Sequence, residues 1–145
     1  ISNQFLLAQV LGEGKNDIEF KYLCDWYVAH AKPGEKLMSS MAGNLQIFSP
    51  RNKNIFLHIS AFADANSFDE FTQLCYKNNI MYVSWDSRLG NRSNDRYYKL
   101  WKGQNIAPLS QPRNIGPYEY ITTITENPQQ YIHLFKLRPK LSVPP

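Results

Sequence analysis

Two carboxylates follow apolar runs in positions where open α/β sheets gather their ligands. The run Asn54 to Ser60 leads to Asp64, and the run Ile80 to Asp86 ends on a carboxylate just before the turn Ser87 to Gly90. Ligands of open α/β sheets collect beyond the carboxyl ends of parallel strands. Asp64, Asp86 and the adjacent Arg88 therefore form a candidate ligand rim, where paired carboxylates can hold a cation or share acid and base roles. The competing reading is structural: an aspartate at a strand end accepts turn amides, and Arg88 neutralises it.

The other chemistry-bearing residues do not converge on a reaction. His58 sits inside an apolar run and reads as a sheet histidine, while His30 and His133 have no ligand spacing between them. Ser60 and Ser84 lie at or inside strands, outside any Gly-x-Ser-x-Gly elbow. Cys24 and Cys75 fall beside leucines on expected helices, lack zinc spacing and read as small buried hydrophobes, with a disulfide between the two helices as the alternative. Gly12 and Gly14 lack the rest of a dinucleotide fingerprint. No catalytic residue, metal ligand set or cofactor is expected.

A second candidate surface is cationic and aromatic: Arg92, Arg96, Tyr97, Lys99 and Trp101. Arginine interleaved with aromatic rings can stack on bases or sugars. Helical packing explains half of that pattern. The chain has 16 Lys and Arg against 12 Asp and Glu, a formal +4. Apart from a loose cluster of Arg88, Arg92, Arg96, Lys99 and Lys102, these cations are spread along the chain rather than gathered in one stripe, which argues against a nucleic-acid partner and leaves a binder using Arg88, Arg92, Arg96 and Lys99 as a third reading.

The elements that must position these residues follow from periodicity. Asn16 to Ala31 reads as a helix, with Asn16 and Glu19 at capping-box spacing and Leu23, Trp26, Tyr27 and His30 along one face. Pro33 and Gly34 end it. Lys36 to Met41 reads as a strand, and Leu45 to Phe48 as a short second strand or one helical turn, with the strand preferred. Ser67 and Glu70 form a capping box that opens a helix ending near Asn78 and Asn79. That helix joins the Ile55 and Ile80 runs, which are expected as parallel neighbours. Asp95 to Trp101 reads as a short helix. Pro108, Pro112 and Pro117 exclude regular structure from the segment that follows. Tyr118 to Ile124 and Tyr131 to Leu137 read as an antiparallel hairpin.

The expected fold is α/β: a Rossmann-like layered sandwich whose mixed sheet has a parallel centre and an antiparallel C-terminal hairpin. Residues 1–15 read as a linker or arm from an upstream segment, 16–138 as a single domain and 139–145 as a tail. With 43% hydrophobic residues, such a domain can bury a core without disulfides. No apolar run approaches the roughly 20 residues of a membrane helix, and Ile1 in first place suits either removal of a leader or a segment of a longer polypeptide.

Three stretches carry a resemblance. Asp25-Trp26 followed by Pro33-Gly34-Glu35 resembles a D-W-x6-P-G-E-x-V pattern, here with Leu37 in the last place. Ile80 to Asp86 matches I-x-Y-V-x-x-D, and Tyr131 to Leu137 resembles a closing V-x-x-Y-x-L strand. Together they resemble the soluble C-terminal domain of polytopic, GT-C-type membrane glycosyltransferases, of the protein-mannosyltransferase-like and aminoarabinose-transferase-like kind. The resemblance spans Asp17 to Leu137, and Ser87 to Pro117 matches none of its patterns. It implies a non-catalytic accessory domain on the extracytoplasmic face of a membrane. Its partners would be the membrane core of the parent polypeptide and a sugar or lipid-linked acceptor. The family's catalytic acid lies in membrane loops, so no catalytic residue transfers to this chain. The alternative is a small free-standing α/β enzyme or ligand-binding domain that uses the acidic rim at Asp64 and Asp86.

Overall fold

The computed structural model describes residues 18–39, 45, 48, 56–58, 65–87, 113–127 and 130–140. Helix α1 spans Ile18–His30, and strands β1 and β2 span Lys36–Ser39 and Phe56–His58. Helix α2 spans Phe68–Lys77. Strands β3, β4 and β5 span Ile80–Asp86, Tyr118–Asn127 and Gln130–Leu137. The chain is an α/β fold with a five-stranded mixed sheet in the order β2-β1-β3-β5-β4. The first three of these strands are parallel, and β5 runs antiparallel to both β3 and β4.

The expected hairpin is present, with Thr123 opposite His133 and Tyr118 opposite Leu137. The expected pairing of the Ile55 and Ile80 runs is not. Strand β1 lies between them, parallel to both, with Met38 opposite Leu57 on one side and Val83 on the other. A helical crossover makes strands parallel without making them adjacent, and β1 has the apolar sequence needed for the interior place. Leu45 and Phe48 are helical, not extended as the sequence suggests. Leu45 packs beneath α1, where the Cys24 thiol donates to its carbonyl at 3.9 Å. The N-terminal arm, the cap at Asn16, the 95–101 helix and the tail beyond Lys140 lie outside the described residues.

Helix α1 packs on one face of the sheet and α2 on the other. On the α1 face, Phe20, Leu23, Cys24 and Tyr27 meet Leu37, Tyr82, Ile132 and Leu134. On the α2 face, Phe71 and Cys75 meet Met38, Ile80, Val83, Trp85, Phe135 and Leu137. A register shift at the start of the β1–β3 pair inserts Met81. That bulge places Ile80 and Val83 on the same face and lets Met81 touch both cores. Strand β3 is consequently buried on both sides along almost its whole length, as its near-continuous apolar sequence requires.

The buried stripe of α1 is rotated from the expected one. Phe20, Leu23, Cys24 and Tyr27 also obey the i, i+3, i+4, i+7 rule, and they are the residues that go inside. The Tyr27 hydroxyl reaches inward to donate to the Glu35 carbonyl. Trp26 is half-buried, and His30 lies exposed, stacked on Trp26 at 4.1 Å with Nδ1–H donating to the Trp26 carbonyl at 2.8 Å. Helix α2 begins as expected: Ser67 Oγ accepts from Glu70 N–H at 3.1 Å. The Glu70 carboxylate turns back to accept from Asn66 N–H at 2.8 Å, one residue ahead of the usual box partner.

The two helix-to-strand turns are bolted together. Gly34 (φ 86°) and Asn79 (φ 58°) both occupy the left-handed region. Asn79 Nδ2 donates to Gly34 O at 2.6 Å, and Lys36 N–H donates to Asn79 O at 3.0 Å. Replacing Gly34 with Ala puts a Cβ into a left-handed conformation that costs roughly 1–2 kcal/mol. We expect the urea midpoint to fall accordingly, with far-UV circular dichroism unchanged below the transition.

Cys24 and Cys75 are both free and buried, as their places beside leucines suggest. Burial pushes the Cys75 thiol up to about 12, against a smaller lowering by its hydrogen bond with Tyr118. Burial also raises the hydroxyls of Tyr27 and Tyr118 above the ordinary tyrosine range. The folded state holds these protons after the unfolded chain has released them. The Cys75 contribution is therefore complete below the unfolded thiol range near pH 9 and is lost as pH rises towards about 12. Stability measured by urea unfolding is expected to fall across that window, first through Cys75 and, above the ordinary tyrosine value near 10, through Tyr27 and Tyr118 as well. Cys75→Ala is expected to make the fall shallower between pH 9 and 10.

Candidate functional site

The carboxyl ends of β1 and β3 form a rim at which buried polar groups collect. Helix α1 leads into β1 through the short turn after His30, so it runs back against the parallel strands. Tyr27 meets Tyr82 near the start of β3, with ring centroids 5.7 Å apart. Glu19 lies eight residues before Tyr27, about 12 Å along the helix axis. Asp86 lies four residues beyond Tyr82, about 13 Å along the strand. The two carboxylates therefore stand at the same end of the sheet and on the α1 face. Each is only 1% exposed.

Two buried serines share that face. Ser39 ends β1, and Ser84 precedes Asp86 by two residues, with its hydroxyl donating to Met38 O at 3.3 Å. Asp86 is thus placed at the expected rim, opposite Ile132 of β5. Asp64 and Arg88 lie outside the described residues, as do Arg92, Arg96, Tyr97, Lys99 and Trp101 of the cationic aromatic surface. Among the described residues, no cluster of three or more His, Cys, Asp or Glu could hold a metal ion.

The opposite face of the same rim carries a hydroxyl–imidazole chain. Tyr120 OH lies 2.7 Å from Thr123 Oγ1, and Thr123 Oγ1 lies 2.8 Å from His133 Nδ1. Tyr120 and Tyr131 approach the His133 ring at centroid distances of 6.1 and 4.9 Å. Trp85 lies opposite His133 in the ladder. At the tip, Ser87 Oγ accepts from Tyr131 N–H at 3.2 Å and ties the end of β3 to the start of β5.

The Thr123–His133 distance is one that a nucleophile and its base would have, but the arrangement differs from an activated hydroxyl. Thr123 Oγ1 is held from two sides, and a hydroxyl has one proton to give. His133 is 1% exposed. The chain therefore cross-links β4 to β5 and holds Tyr120 over Phe135, at a centroid distance of 6.3 Å. Sequence reasoning missed this pairing and the burial of Glu19. The hairpin was legible, but placing Thr123 opposite His133 requires its register, which shifts by one residue between Thr125 and Asn127.

Thr123→Val keeps the shape and removes the hydroxyl shared by Tyr120 and His133. It is expected to cost about 1–3 kcal/mol, because it strips a buried imidazole of a partner. Tyr120→Phe leaves the Thr123–His133 bond in place and is expected to cost about 0.5–1.5 kcal/mol. Urea unfolding of the two variants and of the double variant measures the chain, whose members are expected to couple. No protein-family model, curated protein or solved structure matches this chain, and its reading rests on the geometry above.

Proposed function

We propose that this chain is a non-catalytic accessory domain on the extracytoplasmic face of a membrane-bound, glycosyltransferase-like protein. It packs against the membrane core of its parent polypeptide and helps to hold a sugar or lipid-linked acceptor. In this reading the sheet, with a helix on each face, is a Rossmann-like layered sandwich.

The observation that carries the reading is where the resembling stretches meet. Asp25 to Leu37 and Ile80 to Asp86 are distant in sequence and adjacent in space. Trp26 and Tyr27 both pack edge-on against Tyr82, at 5.8 and 5.7 Å. The Pro33-Gly34-Glu35 turn is held by Asn79, the residue before the second stretch. The third stretch joins them, with Lys136 Nζ 3.8 Å from the Glu35 carboxylate and 5.3 Å from the centre of the Tyr82 ring. The three patterns thus specify one packed joint, which is what a shared scaffold asks of them. The buried rim and the doubly engaged Thr123 suit a scaffold as well.

No helix among the described residues is long and apolar enough to cross a membrane. The test is to express the complete reading frame. Its product is expected in the membrane fraction after alkaline extraction, with cysteines introduced at exposed positions of this domain labelled by membrane-impermeant maleimide from outside. A full-length product that stays soluble, or labels only after permeabilisation, overturns the proposal and shifts weight to an independent ligand-binding domain with Asp86 on its rim.

A further inference from the structure

The charges of this fold are separated along the strand axis. Both helices end where β1 and β3 begin, because each leads through a short turn into one of those strands. That end carries Lys32, Lys36, Lys77, Lys136, Arg138 and Lys140. Glu35 and Glu119 stand among them, and each lies beside a cation, Lys136 at 3.8 Å and Arg138 at 3.9 Å. The opposite end holds Glu19, Asp69, Glu70 and Asp86, and its cation Lys21 is paired with Asp25 at 3.0 Å. The described residues thus form a basic pole and an acidic pole, although the mild net charge of the chain conceals the separation.

The basic pole also has an apolar floor. A groove of about 610 Å³ is lined by Tyr76, Gly116, Pro117, Arg138, Pro139 and Lys140. The Tyr76 hydroxyl donates to Arg138 O at 2.7 Å, which fixes the ring under the strand exit. The Lys140 ammonium lies 6.0 Å from the centre of that ring. Cations above an aromatic and proline floor match the boundary of a bilayer, where anionic headgroups overlie acyl carbon. Tyrosine favours that boundary, and each lysine or arginine near an anionic leaflet strengthens attachment.

We propose that this pole is a docking face for an anionic lipid surface. Lipid phosphates meet Lys77, Arg138 and Lys140, and the groove floor rests at the glycerol level. The inference deepens the membrane-side reading above and rests on it for its biological setting. In that setting the acidic rim, at the far end of the sheet, faces away from the lipid.

The test is co-sedimentation of the 145-residue chain with phosphatidylcholine vesicles, with and without a one-third share of phosphatidylglycerol. Binding is expected only with the anionic lipid and is expected to weaken steeply with salt. The Lys77→Gln, Lys140→Gln double variant changes two exposed side chains and is expected to stay folded by circular dichroism. It should bind about 30-fold more weakly, about fivefold for each cation removed. Equal binding to neutral vesicles, no binding to anionic ones, or an unchanged double variant overturns the docking face. Binding to a DNA or RNA oligonucleotide without vesicle binding overturns it too, by assigning the pole to a polyanion. Vesicle binding by a protein whose full-length form proves soluble would sink the accessory-domain reading and leave the docking face standing.

Discussion

The hydrogen bonds made by Asn79 set the frame for the rest of the structure. Its carbonyl accepts from Lys36 N–H and its side-chain amide donates to Gly34 O. One residue thereby fixes where β1 lies against β3 and where α1 turns. The left-handed backbone at Gly34 and Asn79 allows both turns to be short enough to touch. With β1 held beside β3, β2 can pair only on its outer side, and β5 takes the remaining side of β3. The sheet order β2-β1-β3-β5-β4 follows from that junction. The bulge at Met81 sits at the same junction: Lys36 stands opposite Ile80, and Leu37 opposite Tyr82.

The junction also aligns the helices. Since α1 and α2 both enter their strands through short turns at the same end, their amino termini share the carboxyl end of the sheet. Helix amino termini favour carboxylates and helix carboxyl termini favour cations. Glu19, Asp69 and Glu70 occupy first turns, and Lys77 occupies the last turn of α2. Helix polarity and side-chain charge therefore reinforce each other. The separation of charge follows from the topology and needs no net charge, which is why a formal +4 spread over 145 residues conveys so little of it.

Local grammar was legible in the sequence. Ser67 and Glu70 announced α2, Pro33 and Gly34 announced the end of α1, and alternation announced the C-terminal hairpin. Adjacency was less legible. The Ile55 and Ile80 runs satisfy the pattern of a parallel pair, but nothing within either run says that Lys36 to Ser39 will lie between them. That information resides in Asn79, whose role depends on a partner 45 residues away. The rotation of the α1 stripe has the same character. The Trp26–His30 face and the Phe20–Tyr27 face both have helical spacing, and the choice is made by what lies opposite, Leu37, Tyr82 and Ile132. At the candidate site, Asp86 could be placed at a strand end from sequence. The company of Glu19 could not, because it follows from α1 running back over the sheet.

The same geometry separates stability from contact within the domain. Asp86 and His133 are adjacent to the strand ends where ligands of α/β sheets collect, yet each is 1% exposed. A ligand reaching them would have to displace packing that holds β3, β4 and β5 together. At the opposite end, Arg138 and Lys140 stand exposed on a groove bounded by Pro117 and Pro139, and Lys77 stands exposed in the last turn of α2. Proline there has little ordering entropy left to lose when a surface approaches. Contact at the basic pole leaves the sheet as it is, whereas contact deep in the acidic rim would have to open it. In the described part of this fold, the end away from the usual ligand position is the one that a surface can reach without rearrangement.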